Sequence, residues 1–267
     1  GVIASRVGDD RLGQQAKSQI SASGLSTDAI QQDNIYPTGT VNVLIKPGGE
    51  PNYMIEDDVA WAHMCWTPEW QAIATRTDAI CFGTVARHKT NSATAIDAFL
   101  DALNPSALCL CDVNLREGRY NVTLLKDSFH RAHVVKLNDG ELNMVSELLN
   151  LGGRDLEFKA RQLLVKYNLH MVCVTRGAEG SLLITATDTV THPGVKVDVE
   201  DTIGAGDSFT AILACGYLNQ VPLNHISEAA NQLGAWVASA KGATPEVDEE
   251  VITVIREILW DDYSGDQ

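Results

Sequence analysis

The chain has 267 residues, of which 35 are Asp or Glu and 20 are Lys or Arg, so its formal net charge is -15. A chain this acidic repels nucleic acid and anionic membrane surfaces, and we therefore expect a small-molecule partner. No apolar run approaches the roughly 20 residues of a membrane-spanning helix, and the N-terminus lacks a secretory signal pattern, which predicts a soluble cytoplasmic protein.

The stretch from Tyr36 to Ile55 reads YPTGTVNVLIKPGGEPNYMI. Two β-rich runs flank the turn-rich segment KPGGEPN, and no helical pattern separates them. We therefore predict a β excursion from the main fold, such as a flap.

From residue 79 onward, short apolar runs alternate with amphipathic segments. The apolar and β-branched runs lie at 79–83, 107–113, 133–137 and 171–175. Segments with apolar residues at spacings of three and four lie at 91–103, 121–132, 141–150 and 157–168. This alternation is typical of a parallel sheet covered by helices on both faces. The predicted fold class is an open, doubly wound α/β fold with a mostly parallel sheet.

The six cysteines favour a reducing compartment, because most of them lie within apolar runs. They are Cys65, Cys81, Cys109, Cys111, Cys173 and Cys215. We predict that they are reduced core residues. Cys109 and Cys111 fit one face of a strand, but without a second Cys pair or a nearby His they do not indicate zinc.

After a strand-like stretch at 181–201, the chain reads DTIGAGDSF at 201–209 and continues into the mostly apolar run TAILACGYL. We predict that a helix begins at about Ala205, so that the backbone N–H groups of residues 204–207 attract an anion. A flexible turn followed by a capped helix is the alternative, and it requires no ligand.

The acid in this turn favours a reaction over a static phosphate site. Asp207 would repel a resting phosphate, but it fits a transferring phosphoryl group if it is the general base for the attacking hydroxyl. Gly204, Ala205 and Gly206 would then supply the anion hole. The Gly-x-x-x-x-Gly-Lys-Ser/Thr and His-Arg-Asp loops of other phosphoryl-transfer enzymes do not occur in the sequence.

Several segments together resemble the ribokinase-like carbohydrate kinases, also called the PfkB family. DTIGAGDSF resembles the family's C-terminal signature. Four further segments match in the family's order: SRVGDDRLG at 5–13, CDVNLREGRY at 111–120, KLNDGEL at 136–142 and VTRGAEGSLL at 174–183. The resemblance implies one ribokinase-like domain over residues 1–267 that binds ATP and Mg²⁺ and phosphorylates a sugar. Residues 36–55 would form part of a small β lid.

By this resemblance, Glu141 helps to place Mg²⁺ and its waters near the phosphates, and Asn138 supports the same region. A hard cation held by few carboxylates and several waters suits this assignment. The alternative is that Asn138 and Asp139 merely cap the following helix.

The resemblance also assigns Thr175, Gly177 and Gly180 to the phosphate and ribose side of the nucleotide. A glycine-containing hairpin turn is compatible with the same residues. Lys136 and Arg176 are candidate phosphate contacts, with surface solvation as the alternative for Arg176.

Asp112, Asn114 and Arg116 lie at the end of the strand predicted at 107–113. Because alternate residues of a strand point the same way, we expect Asp112 and Asn114 to face one cleft. In sugar-acid and fructose kinases of the family, an Arg at this place resembles a contact to substrate or phosphate, so Arg116 joins Asp112 and Asn114 as a candidate substrate contact. A surface pair of Asp112 and Arg116 is the alternative.

The segment from 224 to 247 resembles the adenine-side helix of the family and the loop after it. Asn231 is the candidate purine contact, with Gly234 allowing close approach, while an ordinary amphipathic helix is the alternative. Many relatives bind a monovalent cation such as K⁺ through backbone oxygens. By resemblance these would belong to Asp201, Ile203, Val237, Ala240 and Gly242.

The sequence departs from the family at its start. Relatives open with a strand that carries a substrate-binding Asp, the first lid strands and a Gly-Gly-x-Asn segment, none of which precedes Gly1. We therefore expect an incomplete sugar site and impaired turnover in the chain as given.

Four segments favour the fructokinase-like branch: PTGTVNVLI, DDVAWAH, AICFGTVA and DVNLREGRY. Fructose is therefore the expected acceptor, with 2-keto-3-deoxygluconate, ribose or a nucleoside as alternatives. A non-catalytic nucleotide-binding relative is the second hypothesis. A dinucleotide-dependent oxidoreductase is disfavoured, because GAGD lacks the third glycine and the ribose-binding acid. Lid strands often form dimer surfaces in this family, which implies a homodimer, and an unpaired lid edge is the alternative.

Overall fold

The computed structural model describes residues 1–45 and 51–260, and the chain divides into two compact units. The first unit comprises Gly1–Thr77 and Val85–Pro105, and the second comprises Asp78–Thr84 and the chain from Ser106 onward. Within the described ranges, no helix combines the length and apolar character that crossing a membrane requires.

The first unit combines short strands with helices. Its elements are β1 (Ser5–Gly8), α1 (Arg11–Ala22), β2 (Ile30–Asp33), β3 (Val41–Ile45), β4 (Pro51–Ile55), a 3₁₀ turn (Ala60–His63), α2 (Pro68–Ala74), α3 (Thr84–Arg87, whose first residue belongs to the second unit) and α4 (Thr90–Asp101).

Two separate two-stranded sheets occur in this unit. β1 pairs with β2 in parallel, and β3 pairs with β4 in antiparallel register, from Val41 opposite Ile55 to Ile45 opposite Pro51. The second pair confirms the β excursion predicted between Tyr36 and Ile55. The predicted turn KPGGEPN falls largely on residues 46–50, which lie outside the described residues.

The second unit is built on a six-stranded sheet. Its elements are β5 (Ala79–Phe82), β6 (Leu108–Asp112), α5 (Val122–Arg131), β7 (Val134–Asn138), α6 (Asp139–Leu149), α7 (Leu156–Tyr167), β8 (Met171–Thr175), a 3₁₀ turn (Gly177–Glu179), β9 (Ser181–Ile184), β10 (Thr189–His192), α8 (Ala205–Leu218), α9 (Leu223–Ser239) and α10 (Glu249–Trp260). The strand order is β10-β9-β8-β7-β6-β5. β5 to β8 are parallel, which confirms the predicted alternation, whereas β9 and β10 are antiparallel additions.

The central strands are buried on both faces, which explains their nearly continuous apolar sequences. On one face, Leu110, Val134 and Cys173 belong to a core cluster with residues of α8, α9 and α10. Val135 and Val172 point to the other face by strand alternation, and both are fully buried. Successive residues of a strand therefore contact helices on opposite faces of the sheet.

The cysteines follow the prediction only in part. Cys109, Cys111 and Cys173 are buried and Cys215 is half-buried, but Cys65 and Cys81 are exposed, which corrects their assignment to the core. For Cys81 the reason is topological: it lies in β5, which is the last strand of its sheet. An apolar run predicts a strand, but it does not predict whether that strand lies at the edge.

Two histidines stack at the starts of β7 and β8. The rings of His133 and His170 lie 4.9 Å apart, and Nδ1 of His170 lies 2.6 Å from the Tyr217 hydroxyl. Nδ1 of His133 accepts a 3.0 Å hydrogen bond from the backbone N–H of Cys109. Burial lowers the pKa of His133, and the neighbouring His170 lowers it further.

We predict that His133 makes the protein less stable in mild acid. Its pKa is lower in the folded chain than the ordinary value of about 6.5, so the unfolded chain binds more protons as the pH falls through that value. His133→Asn keeps an acceptor for the Cys109 amide but does not titrate. Urea unfolding at pH 7.5 and pH 5.5 should therefore show a smaller loss of unfolding free energy in the variant than in the wild type. Equal losses in the two proteins would contradict this prediction.

Candidate active site

The first turn of α8 begins without a side-chain cap. Its N-cap residue, Gly204, has a left-handed backbone with φ of 85° and makes no side-chain capping bond. A Cβ on Gly204 would collide with the carbonyl oxygen of Ala243. Only glycine combines this backbone with this contact, so local geometry requires glycine at position 204.

The backbone donors of this turn match the prediction with one exception. In the described part of the chain, the N–H groups of Gly204, Gly206 and Asp207 donate to no other group. The N–H of Ala205 instead donates to the Thr202 carbonyl at 3.4 Å, so this amide is not free as predicted. Unpaired donors at the positive end of a 14-residue helix suit a bound anion.

Asp207 follows these donors in the first turn of α8. Solvent reaches its side chain, yet the surrounding protein removes part of its hydration, and this loss raises the pKa of the carboxyl. The charge of Asp112 raises this pKa further, whereas Lys136 and Arg116 oppose the rise. A carboxylate tuned in this way is a better proton acceptor than a fully hydrated one.

Lys136 and Asp112 form an ion pair across the neighbouring strands β7 and β6, where Asp112 is the last residue of β6 and Lys136 lies opposite it in β7. The Lys136 ammonium lies 3.0 and 3.2 Å from the two Asp112 carboxylate oxygens. By alternation with Val134 and Leu110, both side chains lie on the sheet face that packs against α8. The Thr210 hydroxyl of α8 lies 2.8 Å from Asp112 Oδ2. Thr210, which lies one helical turn after Gly206, was not identified from the sequence.

The structure corrects the expected geometry of Asn114. β6 ends at Asp112, and Asn114 has a left-handed backbone with φ of 44°, so strand alternation does not relate the two residues. Asn114 is exposed, and the Arg116 guanidinium donates to the Leu115 carbonyl at 2.9 Å. The three predicted substrate contacts are therefore close in sequence, but they do not share one strand face.

Asn138 and Glu141 form a reciprocal capping box at the start of α6. Asn138 Oδ1 accepts from the Glu141 N–H at 2.8 Å, and Glu141 Oε2 accepts from the Asn138 N–H at 2.9 Å. Glu141 Oε1 also accepts from the Leu115 N–H at 2.7 Å, which ties α6 to the loop after β6. Burial raises the pKa of Glu141, and these two amide hydrogen bonds oppose the rise. Asn138 therefore does cap the helix, as the alternative interpretation proposed. Only the remaining lone pairs of the Glu141 carboxylate can accept hydrogen bonds from a metal-bound water.

Thr175 is the last residue of β8, and Gly177 and Gly180 lie in the connection between β8 and β9. Gly177 and Gly180 have φ of 56° and 82°, and a Cβ on Gly180 would collide with the backbone at His192 and Gly194. The Arg176 guanidinium donates to the His192 carbonyl at 2.9 Å. This contact ties the turn to the end of β10 and corrects the view of Arg176 as a solvated surface residue.

Asn231 is buried in α9, with 8% of its surface exposed. Its amide group donates to Ser181 Oγ at 2.8 Å and to the Ser227 carbonyl at 2.7 Å. Both amide hydrogens therefore have acceptors within the protein, and only Oδ1 remains for a ligand. A Cβ added to Gly234 would lie 3.3 Å from the Ala205 carbonyl oxygen, so α9 lies close to α8 at this position.

The predicted monovalent-cation residues lie on two segments that the structure brings together. The N–H groups of Glu200 and Asp201 donate to the Ala238 carbonyl at 2.9 and 3.2 Å. The Val237 carbonyl accepts from the Ala240 N–H at 3.1 Å, so one of the proposed oxygens already has a partner. Within the described residues, no cluster of three or more His, Cys, Asp or Glu side chains could hold a metal ion.

Comparison with known proteins gives a consistent set of similarities. The sequence profile of the pfkB family carbohydrate kinases matches residues 2–250. The chain is 28% identical over 257 residues to the sugar kinase PH1459 of Pyrococcus horikoshii, an alignment covering 92% of this chain and 78% of that protein. It is 26% identical over 266 residues to a fructokinase of Escherichia coli, covering 89% and 80% of the two chains.

Solved structures agree with this result. The crystal structure of the uncharacterized sugar kinase PH1459 has a TM-score of 0.82 at 26% identity, covering 97% of this chain and 84% of that one. Its complex with ATP has a TM-score of 0.79, covering 96% and 83%. An ATP-bound fructokinase from Xylella fastidiosa has a TM-score of 0.80 at 20% identity, covering 96% and 85%, and supports the fold alone. The predicted ribokinase-like fold is confirmed.

We predict that Gly204→Ala destabilises the protein much more than Gly242→Ala. Both glycines have φ near 85°, but no atom lies within 4 Å of a Cβ on Gly242. Gly242→Ala should cost about 1 kcal/mol from backbone strain alone. Gly204→Ala adds overpacking against Ala243 and should cost about 2 to 4 kcal/mol. Urea unfolding of both variants measures the difference, and equal losses would show that the contact at Gly204 does not constrain the turn.

Proposed function

Because the chain belongs to the PfkB family of carbohydrate kinases, we propose that it transfers the γ-phosphoryl group of ATP to a hydroxyl group of fructose. The observation that carries this proposal is the first turn of α8, where unpaired backbone donors stand beside a carboxylate of raised pKa. The sugar and ATP chemistry is supported by the names of the relatives, a fructokinase and a sugar kinase with an ATP complex.

Asp207 is proposed as the general base. Its carboxylate accepts the proton of the attacking sugar hydroxyl as the oxygen of that hydroxyl bonds to the γ-phosphorus and ADP leaves. The raised pKa of Asp207 strengthens its affinity for this proton. Because solvent reaches the side chain, an incoming hydroxyl group can reach it as well.

The backbone of residues 204–207 is proposed as the anion hole. The N–H groups of Gly204, Gly206 and Asp207 have no acceptor in the described protein, so an anion would satisfy them. Ala205 contributes through its position in the turn, since its own N–H is shared with Thr202. Donors fixed by a helix terminus need no reorganisation as charge develops on the phosphoryl group.

Mg²⁺ is proposed to accompany the nucleotide, where it would neutralise phosphate charge. The donor set fits an ion that keeps most of its waters, because Glu141 is one buried carboxylate whose two oxygens already accept N–H groups. Asn138 is proposed to hold Glu141 in place through the capping box, rather than to contact the ion itself.

Substrate contacts are proposed on the loop after β6 and along the β8–β9 turn. Asn114, which is exposed, and Arg116 are the proposed sugar or phosphate contacts, and Asp112 supports them from the strand end. Thr175, Gly177 and Gly180 are the proposed contacts to the phosphate and ribose side of ATP. Asn231 would contact the purine through Oδ1, as an acceptor, because its two amide hydrogens are already used.

Three further assignments rest on the family resemblance. A monovalent cation is proposed at the backbone of 201–203 and 237–242, and rates measured in potassium and in tetramethylammonium salts would test it. A homodimer through the β3–β4 pair would hide the exposed side chains of Val41 and Met54, and light scattering would test it. Cytoplasmic location, which fits six cysteines without a disulfide, is testable by fractionation of the native host.

We predict that Asp207→Asn lowers kcat by about 10² to 10⁴-fold, since the amide cannot accept the hydroxyl proton. Affinity for an ATP analogue, measured by calorimetry, should change little or rise, because a negative charge near the phosphates is removed. Asp127→Asn is the matched control: it makes the same chemical change in the exposed Asp127–Arg131 pair of α5 and should leave kcat unchanged. Nearly normal turnover by Asp207→Asn would rule out Asp207 as the base.

We predict that fructose gives the highest kcat/KM in a coupled ADP-release assay. Ribose, 2-keto-3-deoxygluconate and a nucleoside panel are the comparison substrates, and the assay should use the complete native coding region. A better rate with one of the comparison substrates would reassign the acceptor while keeping the kinase. Nucleotide binding by calorimetry without turnover on any substrate would instead favour the non-catalytic, nucleotide-binding alternative.

A further inference from the structure

A closed ring of polar contacts lies beneath the first turn of α8. Lys136 contacts both oxygens of Asp112, and the Thr210 hydroxyl lies 2.8 Å from Asp112 Oδ2 and 2.9 Å from the Gly206 carbonyl. A Cβ on Gly206 would lie 3.0 Å from the Lys136 ammonium, so this ammonium packs directly under the turn. The ring therefore joins the ends of β6 and β7 to the turn that carries Asp207.

The ammonium of Lys136 is buried, with 7% of the residue exposed. Burial alone would lower the pKa of Lys136, but the charge and hydrogen bonds of Asp112 outweigh it, and the pKa is raised. Lys136 therefore stays protonated across the working range of pH. A buried cation held by a single close carboxylate has little packing value over an apolar residue, which points to a functional role.

Thr210 fixes the orientation of this pair relative to the helix. A hydroxyl has one proton, so Thr210 donates either to Asp112 or to the Gly206 carbonyl, and both acceptors lie within reach. In either state Asp112 remains between Lys136 and α8. Because Gly206 and Asp207 are adjacent in the same turn, the position of Lys136 is set relative to Asp207.

We propose that Asp112, Lys136 and Thr210 are positioning residues that set the charge around Asp207 and so fix the pH range in which it accepts a proton. This inference rests on the proposed role of Asp207 as the base. Asp112 holds the ammonium close enough to favour ionised Asp207, and its own negative charge prevents that carboxylate from becoming too weak a base.

The groups that act on each other here come from six elements, α8, β5, β6, β7, β8 and α6, and from the loop after β6. Asp207 on α8 is acted on by Asp112, Lys136 and Arg116. The charged or titratable groups acting on Lys136 are Asp112, Glu141 and Cys173. Cys81 on β5 is acted on by Asp112, Lys136 and Asp207, and a neutral thiol adds no charge.

Two single variants should shift the acid limb of the plot of kcat against pH in opposite directions. The acid limb is the fall in kcat at low pH as Asp207 becomes protonated. Asp112→Asn removes a negative charge, so the apparent pKa of the limb should fall by about 1 unit. Lys136→Met removes a positive charge, so the apparent pKa should rise by about 1 unit. Burial lowers the pKa of Lys136 once Asp112 is replaced, but the limb is measured in acid, where protonation of a lysine is favoured. A structural role alone would lower kcat without moving the limb in opposite senses.

Additional variants separate charge from folding. The double variant Asp112→Asn/Lys136→Met has no buried unpaired charge, and its limb should return to within about half a unit of the wild type. Thr210→Val, which keeps the shape, should lower kcat about tenfold, and Thr210→Ser should restore most of it. Asp127→Asn on α5 is the control for a remote carboxylate and should leave the limb in place.

A second readout does not require turnover. The carboxyl ¹³C shift of Asp207, followed against pH in nucleotide-free protein, should show the same two opposite displacements. If Asp207→Asn remains active, the proposed base is wrong, while this titration still tests whether the pair controls the carboxyl. Equal or same-direction displacements in Asp112→Asn and Lys136→Met would overturn the inference.

Discussion

The left-handed backbone of Gly204 is the constraint on which the rest of the candidate site depends. A helix that begins with Ser, Thr, Asp or Asn satisfies one of its first N–H groups with its own side chain. Gly204 cannot do so, and the approach of Ala243 leaves no room for a residue that could. Three N–H groups of this turn therefore have no acceptor in the described protein, at the end of the sheet where β6 and β7 place their charged residues.

The N–H groups of a helix terminus alone could bind an anion, but they supply no proton acceptor for a reaction. The difference comes from strand parity: Leu110 and Asp112 share one face of β6, and Val134 and Lys136 share one face of β7. The same faces that pack under α8 thus end in a carboxylate and an ammonium. Packing of Leu110 and Val134 in the core fixes the positions of Asp112 and Lys136. The charges of these two residues act on Asp207 in the first turn of α8. Each of these strands therefore supplies a core residue and, two residues later, a charged residue of the candidate site.

Sequence analysis could predict the elements whose signal is local. The strands predicted at 107–113 and 133–137 and the helix predicted from about Ala205 follow from apolar periodicity and glycine chemistry, and the structure places them at Leu108–Asp112, Val134–Asn138 and Ala205–Leu218. Asn114 was placed wrongly, because periodicity does not show where a strand ends and a left-handed turn begins. Thr210 was missed because a hydroxyl in an apolar helix has no distinctive pattern until its partner, almost a hundred residues earlier in the chain, is known. Asn231 shows a related limit, because sequence alone could not reveal that its amide hydrogens bond to Ser181 and Ser227.

The charges that affect the pKa of Asp207 also affect the pKa of the Cys81 thiol. Solvent reaches Cys81, and a thiolate there would compete with a sugar hydroxyl as the nucleophile. Loss of hydration raises the pKa of Cys81 to about 12, and the charges of Asp112 and Asp207 add to this rise, with Lys136 opposing it. The thiol therefore stays protonated at neutral pH and is a poor nucleophile. Two carboxylates and one ammonium thus keep a proton acceptor available at Asp207, while the exposed thiol on β5, the strand next to β6, remains unreactive.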